Sequence, residues 1–353
     1  MTPIDVDALE DEWEPDEGAA SPRGRPRASV AAAGRRASER LGRVIALDRG
    51  HIEVLLDGER LVARYGGGMR GVRAAVGDEV RVARSARGGE ARIVAREPRR
   101  TVLARTGDDV VEEERVVVAN ADAVVCVVGV DNLTSGLRFA DRVLVAASVG
   151  GLVPLLVVNK VDLATDRAAL DAEVAAYRDA VERTLLTSVE TGEGIDDLAG
   201  ALAGRWTALT GHSGVGKSSL TNRLVPEAER TVGALGRRGG RHTTVAARAI
   251  ELPGADGWLV DTPGVRSFGL GALAASELAR HFPELAVLDC ELDDCAHDGE
   301  PGCALDPAAV PVVRLAAYRR LLEALRAGRL DTTPAEAETA ESGEPGPGAS
   351  RLP

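Results

Sequence analysis

The sequence predicts an α/β protein with a doubly wound, mostly parallel sheet, a small β-barrel ahead of it and a cysteine-bearing helical segment behind it. Three observations carry that prediction. Continuous apolar runs at residues 123–130 and 152–158 flank a stretch of helical spacing at 137–147, the texture of parallel strands covered by helices on both faces. Residues 41–100 break into short β-branched runs separated by Gly and Asp, the pattern of a small closed barrel. Three of the four cysteines fall within the fourteen residues from Cys290 to Cys303.

A chain of 353 residues has room for two or three domains. Aromatic residues make up only 3% of it, so Val, Leu, Ala and Ile must build the core. The net charge of −12 hides a polarity: the first twenty residues hold eight acids and no base, whereas 41–100 hold thirteen Arg against eight Asp plus Glu. Local fields, not the whole-chain sum, govern contact with a polyanion, so an acidic tail masks a basic domain. The cysteine usage is not that of a secreted disulfide framework, and the acidic N-terminus lacks the apolar core of a signal peptide. No apolar run approaches the roughly 20 residues of a membrane span. The expectation is a cytoplasmic protein that makes no membrane contact; with no coiled-coil heptads, a monomer is expected.

Taken in order, residues 1–40 are acidic and then Pro/Arg/Ala/Ser-rich without apolar periodicity, and are expected to be disordered. Residues 41–104 are expected to form a small barrel from the runs GRVIAL, HIEVLLDG, RLVARY, GDEVRV and ARIVARE, OB-like in preference to an SH3-like or other small barrel with no RNA role, with a Gly-rich basic loop at 66–71. Residues 105–271 alternate strands and helices: helices at 137–147, 166–182, 195–203 and from 218, and strands at 123–130, 152–158, 184–187, 206–210, 246–252 and 258–260. Residues 272–328 carry helices near 276–281 and 312–326 around the cysteine loop, and 329–353 form a Glu/Pro/Gly-rich tail.

The chemistry concentrates at strand ends. Of forty-three basic residues only Lys160 and Lys217 are lysines; a compact ammonium fits between phosphates where a wide guanidinium would not. Gly211, His212, Ser213, Gly214, Val215, Gly216, Lys217, Ser218 and Ser219 follow an apolar strand and open a helix, which is the context of a G-x-x-x-x-G-K-S phosphate loop. There the backbone N–H groups wrap the β-phosphate, Lys217 reaches the β- and γ-phosphates, and Ser218 ligates Mg²⁺. Asp261-Thr-Pro-Gly264 ends another apolar strand and reads as D-x-x-G, with Asp261 holding Mg²⁺ through water and the Gly264 amide sensing the γ-phosphate. Asn159-Lys160-Val161-Asp162 is the N-K-x-D guanine reader, in which the Asp162 carboxylate accepts from N1–H and the exocyclic amine while the Lys160 stem lies along the base. Ser188 and Val189 resemble the S-A-K loop that offers an amide to guanine O6, with Val189 where that loop has Ala. Between the phosphate loop and D-x-x-G, residues 233–244 are dense in Gly and Arg and read as a switch whose Thr244 joins the Mg²⁺ shell.

Cys290, Cys295, His297 and Cys303 form a C-x₄-C-x-H-x₅-C set. Three thiolates and an imidazole make a closed structural zinc site, with Pro301-Gly302 returning the chain to the metal; an iron–sulfur or redox role is the competing interpretation. Cys126, inside an apolar strand, is expected to be a small buried hydrophobe.

The base reader precedes the phosphate loop, the reverse of Ras-like GTPases. That order, with the barrel and the Cys/His cluster, resembles the ribosome small-subunit-dependent GTPase A family (RsgA, also called YjeQ) over residues 41–326. The resemblance rests on Gly211 through Ser219, Arg241-His-Thr-Thr244, Asp261 through Phe268, and the Cys290–Cys303 pattern. It implies a circularly permuted P-loop GTPase domain with an N-terminal OB-like barrel and a C-terminal zinc-binding helical domain. It also implies GTP/GDP with Mg²⁺, one structural Zn²⁺, and GTP hydrolysis coupled to late maturation of the small (30S) ribosomal subunit, in contact with 16S rRNA and 30S proteins. Val265 stands where Ras-like enzymes place a water-orienting Gln, so turnover alone should be slow and ribosome-stimulated, with His242 the candidate for positioning water and Thr244 and Gly264 completing the catalytic set. Two alternatives stay open: a nucleotide-gated rRNA-binding module with incidental hydrolysis, and a large-subunit assembly GTPase.

Overall fold

The computed structural model describes residues 39–48, 51–69, 72–84, 90–105, 115–226, 247–262, 268, 270 and 273–328. The expected tails (apart from Glu39 and Arg40), the 233–244 switch with His242 and Thr244, and Gly264 with Val265 lie outside these residues.

The first five strands are β1 (Glu39–Asp48), β2 (His51–Leu56), β3 (Glu59–Tyr65), β4 (Glu79–Ala83) and β5 (Ala91–Arg96). They run β1-β2-β3-β5-β4 and return from β4 to β1, with only the β3–β5 pair parallel. One long strand can serve both neighbours because it bends. The N-terminal half of β1 pairs with β4, and the remainder pairs with β2 across a register shift between Val44 and Ala46. Gly42 sits in that bend, where a Cβ would come within 2.6 Å of Val54 Cγ1. Alternate residues point inward, so Val44, Ile52, Val54, Ala63, Val80, Val82 and Ile93 fill the interior. This is the expected OB-like barrel, and all five strand runs fall where the sequence puts them.

A hairpin that sequence texture does not reveal follows, β6 (Val102–Arg105) with β7 (Arg115–Ala119). Next come β8 (Ala123–Gly129), α1 (Leu133–Gly150), β9 (Val153–Asn159), α2 (Arg167–Ala175), β10 (Arg183–Thr187), α3 (Ile195–Leu202), β11 (Trp206–Gly211), α4 (Lys217–Leu224), β12 (Arg248–Glu251) and β13 (Trp258–Asp261). The expected helix over 166–182 is shorter than its spacing suggests. It ends at Ala175, after which turns closed by Tyr177 N–H to Val174 O and Ala180 N–H to Tyr177 O keep Tyr177, Ala180 and Val181 buried.

Strand order is β10-β9-β8-β11-β13-β12, parallel except for β12. Pleating sends Val124, Cys126 and Val128 to the face covered by α1 and α2, and Ala123, Val125 and Val127 to the face covered by α3 and α4. Cys126 is fully buried, and that burial pushes its thiol pKa upward. The chain runs from β8 outward through β9 to β10, then returns to β11 on the other side of β8. Ligands of open α/β sheets bind at such a reversal, beyond the carboxyl ends of the strands.

The barrel is continuous with this sheet through the Ala46–Arg248 pairing of β1 and β12. Trp206 and Trp258 stack at 5.1 Å beside the junction, and the Arg43 guanidinium lies 3.5 Å from the Trp206 ring centroid. After β13 come a 3₁₀ segment (Ala275–His281), α5 (Pro283–Ala286), the cysteine loop and α6 (Val312–Arg326), which packs on α1. Among the described residues no helix is long and apolar enough to cross a membrane.

Candidate functional site

Parallel pairing in register brings five strand ends to one edge. Asn159 at the end of β9 pairs with both Thr187 and Gly129, Gly211 pairs with Val127, and Asp261 pairs with Leu209. The residues at the ends of β9, β10, β11 and β13 carry the expected motifs.

The phosphate-loop sequence turns sharply from β11 into α4. Gly211, Gly214 and Gly216 adopt φ of 149°, 83° and 98°, conformations that side chains disfavour. Val215 is buried, whereas Ser213, Gly214, Ser218 and Ser219 are exposed at the mouth of the loop. The Lys217 ammonium donates to the carbonyls of Gly211 at 2.6 Å and His212 at 2.8 Å. Burial lowers the Lys217 pKa and the nearby Asp261 carboxylate pulls it back; burial raises that of Asp261, against the pull of Lys217. These two groups, 44 residues apart in sequence, therefore sense each other's charge. Thr262 ties their strands together, its hydroxyl donating to Leu209 O at 2.7 Å.

The base-reader sequence is fastened to this loop. Asn159 is buried and donates from Nδ2 to Val215 O at 2.9 Å, while its Oδ1 accepts from Thr187 Oγ1 at 3.1 Å. Ser188 Oγ donates to Asp162 Oδ1 at 2.5 Å and accepts from the Thr191 N–H. Val189 packs against the core under α3 and α4. Lys160 takes a left-handed backbone, φ 63°, and its ammonium meets Asp131. Asp131 is the residue that sequence reasoning missed, and Thr187, which opens the S-A-K-like stretch, is one to which it gave no role. Thr187 adjoins Ser188 and could have been included with it, whereas Asp131 lies on another segment and carries no motif.

Gly216 shows how closely the two loops approach. A Cβ there would lie 2.3 Å from Asn159 Nδ2, at a φ that already disfavours one. Gly216→Ala is therefore expected to break the Asn159–Val215 contact and weaken GDP binding at least about 100-fold, the scale of a lost charge-fitted backbone cradle. Titration calorimetry of the variant checks this.

His212 packs its ring on Phe139, centroids 4.4 Å apart, and Phe139 in turn meets Phe268 at 5.6 Å. Burial, with Lys217 adding repulsion, lowers its pKa and keeps the imidazole neutral. It packs between the loop and α1, consistent with a spacer.

The cysteine loop gathers Cys290, Cys295, His297 and Cys303 so that their ligand atoms lie within 4.8 Å of one another. His297 Nδ1 stands 3.5, 3.7 and 3.4 Å from the sulfurs of Cys290, Cys295 and Cys303. Tetrahedral zinc with ordinary Zn–S and Zn–N bonds requires S···N edges of about 3.6 Å, so the donor set fits in kind and in spacing. The Ala304 N–H donates to Cys290 Sγ at 3.2 Å, and the Glu300 carboxylate accepts from the N–H groups of Ala296 and Asp298, the supporting contacts that hold ligands in place. Gly302, φ 77°, makes the turn beside Glu291. Burial pushes the Cys295 thiol up to about 12 and holds the His297 imidazole below its usual value. The imidazole is thus neutral and ready to ligate, while ionising the thiol needs a cation among the sulfurs.

The chain is similar to proteins of known type. The family model described as RsgA GTPase matches residues 96–271. A protein from Azotobacter vinelandii named small ribosomal subunit biogenesis GTPase RsgA is 40% identical over 287 residues, covering 78% of this chain and 77% of the relative. One of the same name from Pseudomonas fluorescens is 40% identical over 70% of this chain and 74% of its own length. The crystal structure of YjeQ from Thermotoga maritima superposes with a TM-score of 0.67 at 27% identity, over 82% of this chain and 99% of that one. YloQ, described as a circularly permuted GTPase, shares the fold at a TM-score of 0.64 and 22% identity, over 84% of this chain and 98% of its own. With 40% identity to relatives of that name over more than two thirds of both chains, and the family model lying across the sheet that carries the motifs, the chain belongs to the RsgA GTPase family.

Proposed function

We propose that this chain is a cytoplasmic GTPase that binds the small ribosomal subunit and couples GTP hydrolysis to its late maturation; its relatives are named small ribosomal subunit biogenesis GTPases. The observation that carries the reading is the hydrogen bond from Asn159 to Val215 O, which fastens base reader and phosphate loop into one cradle for a single nucleotide. Asp162, steadied by Ser188, accepts from guanine N1–H and the exocyclic amine, a pairing that adenine cannot offer. The Val189 amide faces O6. The loop amides from Ser213 to Ser219 and the Lys217 ammonium take the phosphates in exchange for the carbonyls that Lys217 now contacts. Ser218 and Thr244 would hold Mg²⁺, with Asp261 acting through water, and the ion offsets charge on the β- and γ-phosphates.

Val265 cannot orient water, so the chain alone turns over slowly; His242 in the switch positions the nucleophile once the ribosomal subunit is bound, and Gly264 reports the γ-phosphate. Contact with 16S rRNA falls to the barrel, where exposed Arg73 and Arg92 carry no ion pair among the described residues and can meet phosphates. The cysteine loop is unsuited to that task, because Asp289, Glu291, Asp293, Asp294, Asp298 and Asp306 are all exposed on it. Its Cys₃His set holds one structural Zn²⁺ and leaves no open position for catalysis.

Hydrolysis measured with purified 30S particles, with 50S particles and with neither tests the reading. Turnover should rise at least about tenfold with 30S alone, since a partner that completes a GTPase site supplies 10³ or more in favourable cases. Equal rates in all three mixtures would leave a nucleotide-gated binding module, and stimulation by 50S alone would make it a large-subunit factor.

A further inference from the structure

Each side chain of the base reader is held before any nucleotide arrives. Asn159 is held by Val215 O and Thr187, and Asp162 by Ser188. The third, Lys160, is held by a residue outside every motif. Its ammonium donates to Asp131 Oδ2 at 2.6 Å. Asp131 lies in the 3₁₀ turn Val130–Asn132 that links β8 to α1. Across the sheet, Gly129 at the end of β8 pairs with Asn159, so the acid starts from the position beside the base reader. The space for its carboxylate is kept by a missing side chain: a Cβ on Gly129 would lie 2.3 Å from Asp131 Oδ1 and 3.9 Å from the Val215 Cα of the phosphate loop. The carboxylate thus occupies the meeting point of β8, β9 and the phosphate loop.

Lys160 needs such a partner. It is the one residue of the motif with a left-handed backbone, φ 63° and ψ 36°, a conformation that persists in non-glycine residues only where surroundings enforce it. Its four-carbon stem is partly exposed and, untethered, would spread over many rotamers. Fixing the ammonium turns the methylene chain into a ledge of defined height. Neutralising it means the ledge meets the purine as an apolar surface instead of a mobile cation free to turn toward the phosphates.

We propose that Asp131 is a positioning residue for nucleotide binding: it acts through Lys160, setting the lysine stem as the platform for the purine face. The inference rests on the GTPase reading above and adds to it a residue that contacts no part of the nucleotide. A platform supports any purine, so Asp131 governs affinity for guanine and hypoxanthine alike, whereas Asp162 governs the choice between them. Its contribution is a lowered ordering cost, the benefit of a preorganised site.

The test is a double-mutant cycle on the full-length chain, read as the dissociation constant of N-methylanthraniloyl-GDP with GDP and IDP as competitors. Asp131→Ala should weaken GDP and IDP by the same factor, about three- to tenfold for a half-exposed charge pair that orders a long side chain. In a Lys160→Met background the same substitution should cost nothing further, and the melting midpoint of the nucleotide-free chain should not move. The proposal is overturned if Asp131→Ala leaves affinity intact, if it weakens binding equally in both backgrounds, or if GDP suffers and IDP does not. The GTPase reading fails separately, and earlier, if the unaltered chain does not bind the fluorescent GDP.

Discussion

Replacing Arg314 by methionine is expected to destabilise the protein by ~3–5 kcal/mol, the cost of stranding buried charges. Arg314 is 1% exposed and reaches from α6 to Asp141 of α1 at 2.9 Å and to Glu284 of α5 at 2.6 Å. Its guanidinium also lies 4.7 Å from the Phe282 ring centroid and 5.1 Å from that of Tyr177. Asp141 keeps a second partner, Arg320, at 2.8 Å; Glu284 has no other ion-pair partner among the described residues. A methionine fills the volume but leaves both acids short of a cation, and α1, α5 and α6 lose their common tie. Burial already pushes the Asp141 carboxyl upward, while Arg314 and Arg320 pull it down; with Arg314 gone the upward push gains. A carboxyl whose folded pKa is raised gives its stability below the unfolded pKa and loses it as pH rises through the folded one. The deficit should therefore be larger at pH 8 than at pH 5. Urea unfolding followed by hydrogen exchange in α6 and by the fluorescence of the stacked Trp206 and Trp258 would separate loosening of the C-terminal region from melting of the sheet. A urea midpoint unchanged at both pH values would refute this account of the network.

That tie could not be read from the sequence, and the reason is instructive beside what could. The motif residues were legible because each follows its own apolar strand, and parallel pairing then carries all the strand ends to one edge; local pattern is enough. The barrel strands were legible because two-residue alternation with Gly and Asp breaks is also local. Arg314 and Asp141 are 173 residues apart, and nothing near Asp141 says which cation will neutralise it; the only hint was an acid on the apolar face of α1. The same holds for Arg43 on Trp206 and for Asp131 on Lys160, pairings that exist only once distant segments have met. The 102–105 and 115–119 hairpin leaves no clear pattern in the sequence because its strands are short and sit beside a change of texture. The spacing predicts a longer α2 because Tyr177, Ala180 and Val181 continue the three-to-four period of the helix, whereas the chain there makes separate turns.

Loss of the metal is expected to undo the C-terminal region while leaving the barrel and the sheet intact. Between Val287 and Val310 the chain has no helix or strand, and its buried residues other than Val310 are Cys295, Ala296 and His297; Val287 and Leu292 are exposed. Twenty-odd residues with so little apolar burial cannot offset their own conformational entropy, and six exposed acids on the same loop repel one another. A Cys₃His zinc site supplies what is missing, about 10–16 kcal/mol of apparent binding energy in small structural sites at neutral pH. The helices depend on it indirectly, since Tyr318 of α6 donates its hydroxyl to the carbonyl of Ala296, between two of the ligands, and packs edge-on against Phe282 at 5.3 Å. Cys303→Ser should lower zinc from about one equivalent per chain to below about a tenth, as measured by plasma mass spectrometry, and raise hydrogen exchange at least about 100-fold through 288–310 and into α6. GDP affinity should change by less than about twofold, because no nucleotide-binding residue lies in that segment and independent sites act additively. Iron in place of zinc would favour the redox alternative, and exchange protection that survives in a demonstrably zinc-free variant would mean that the loop is held by contacts other than the metal.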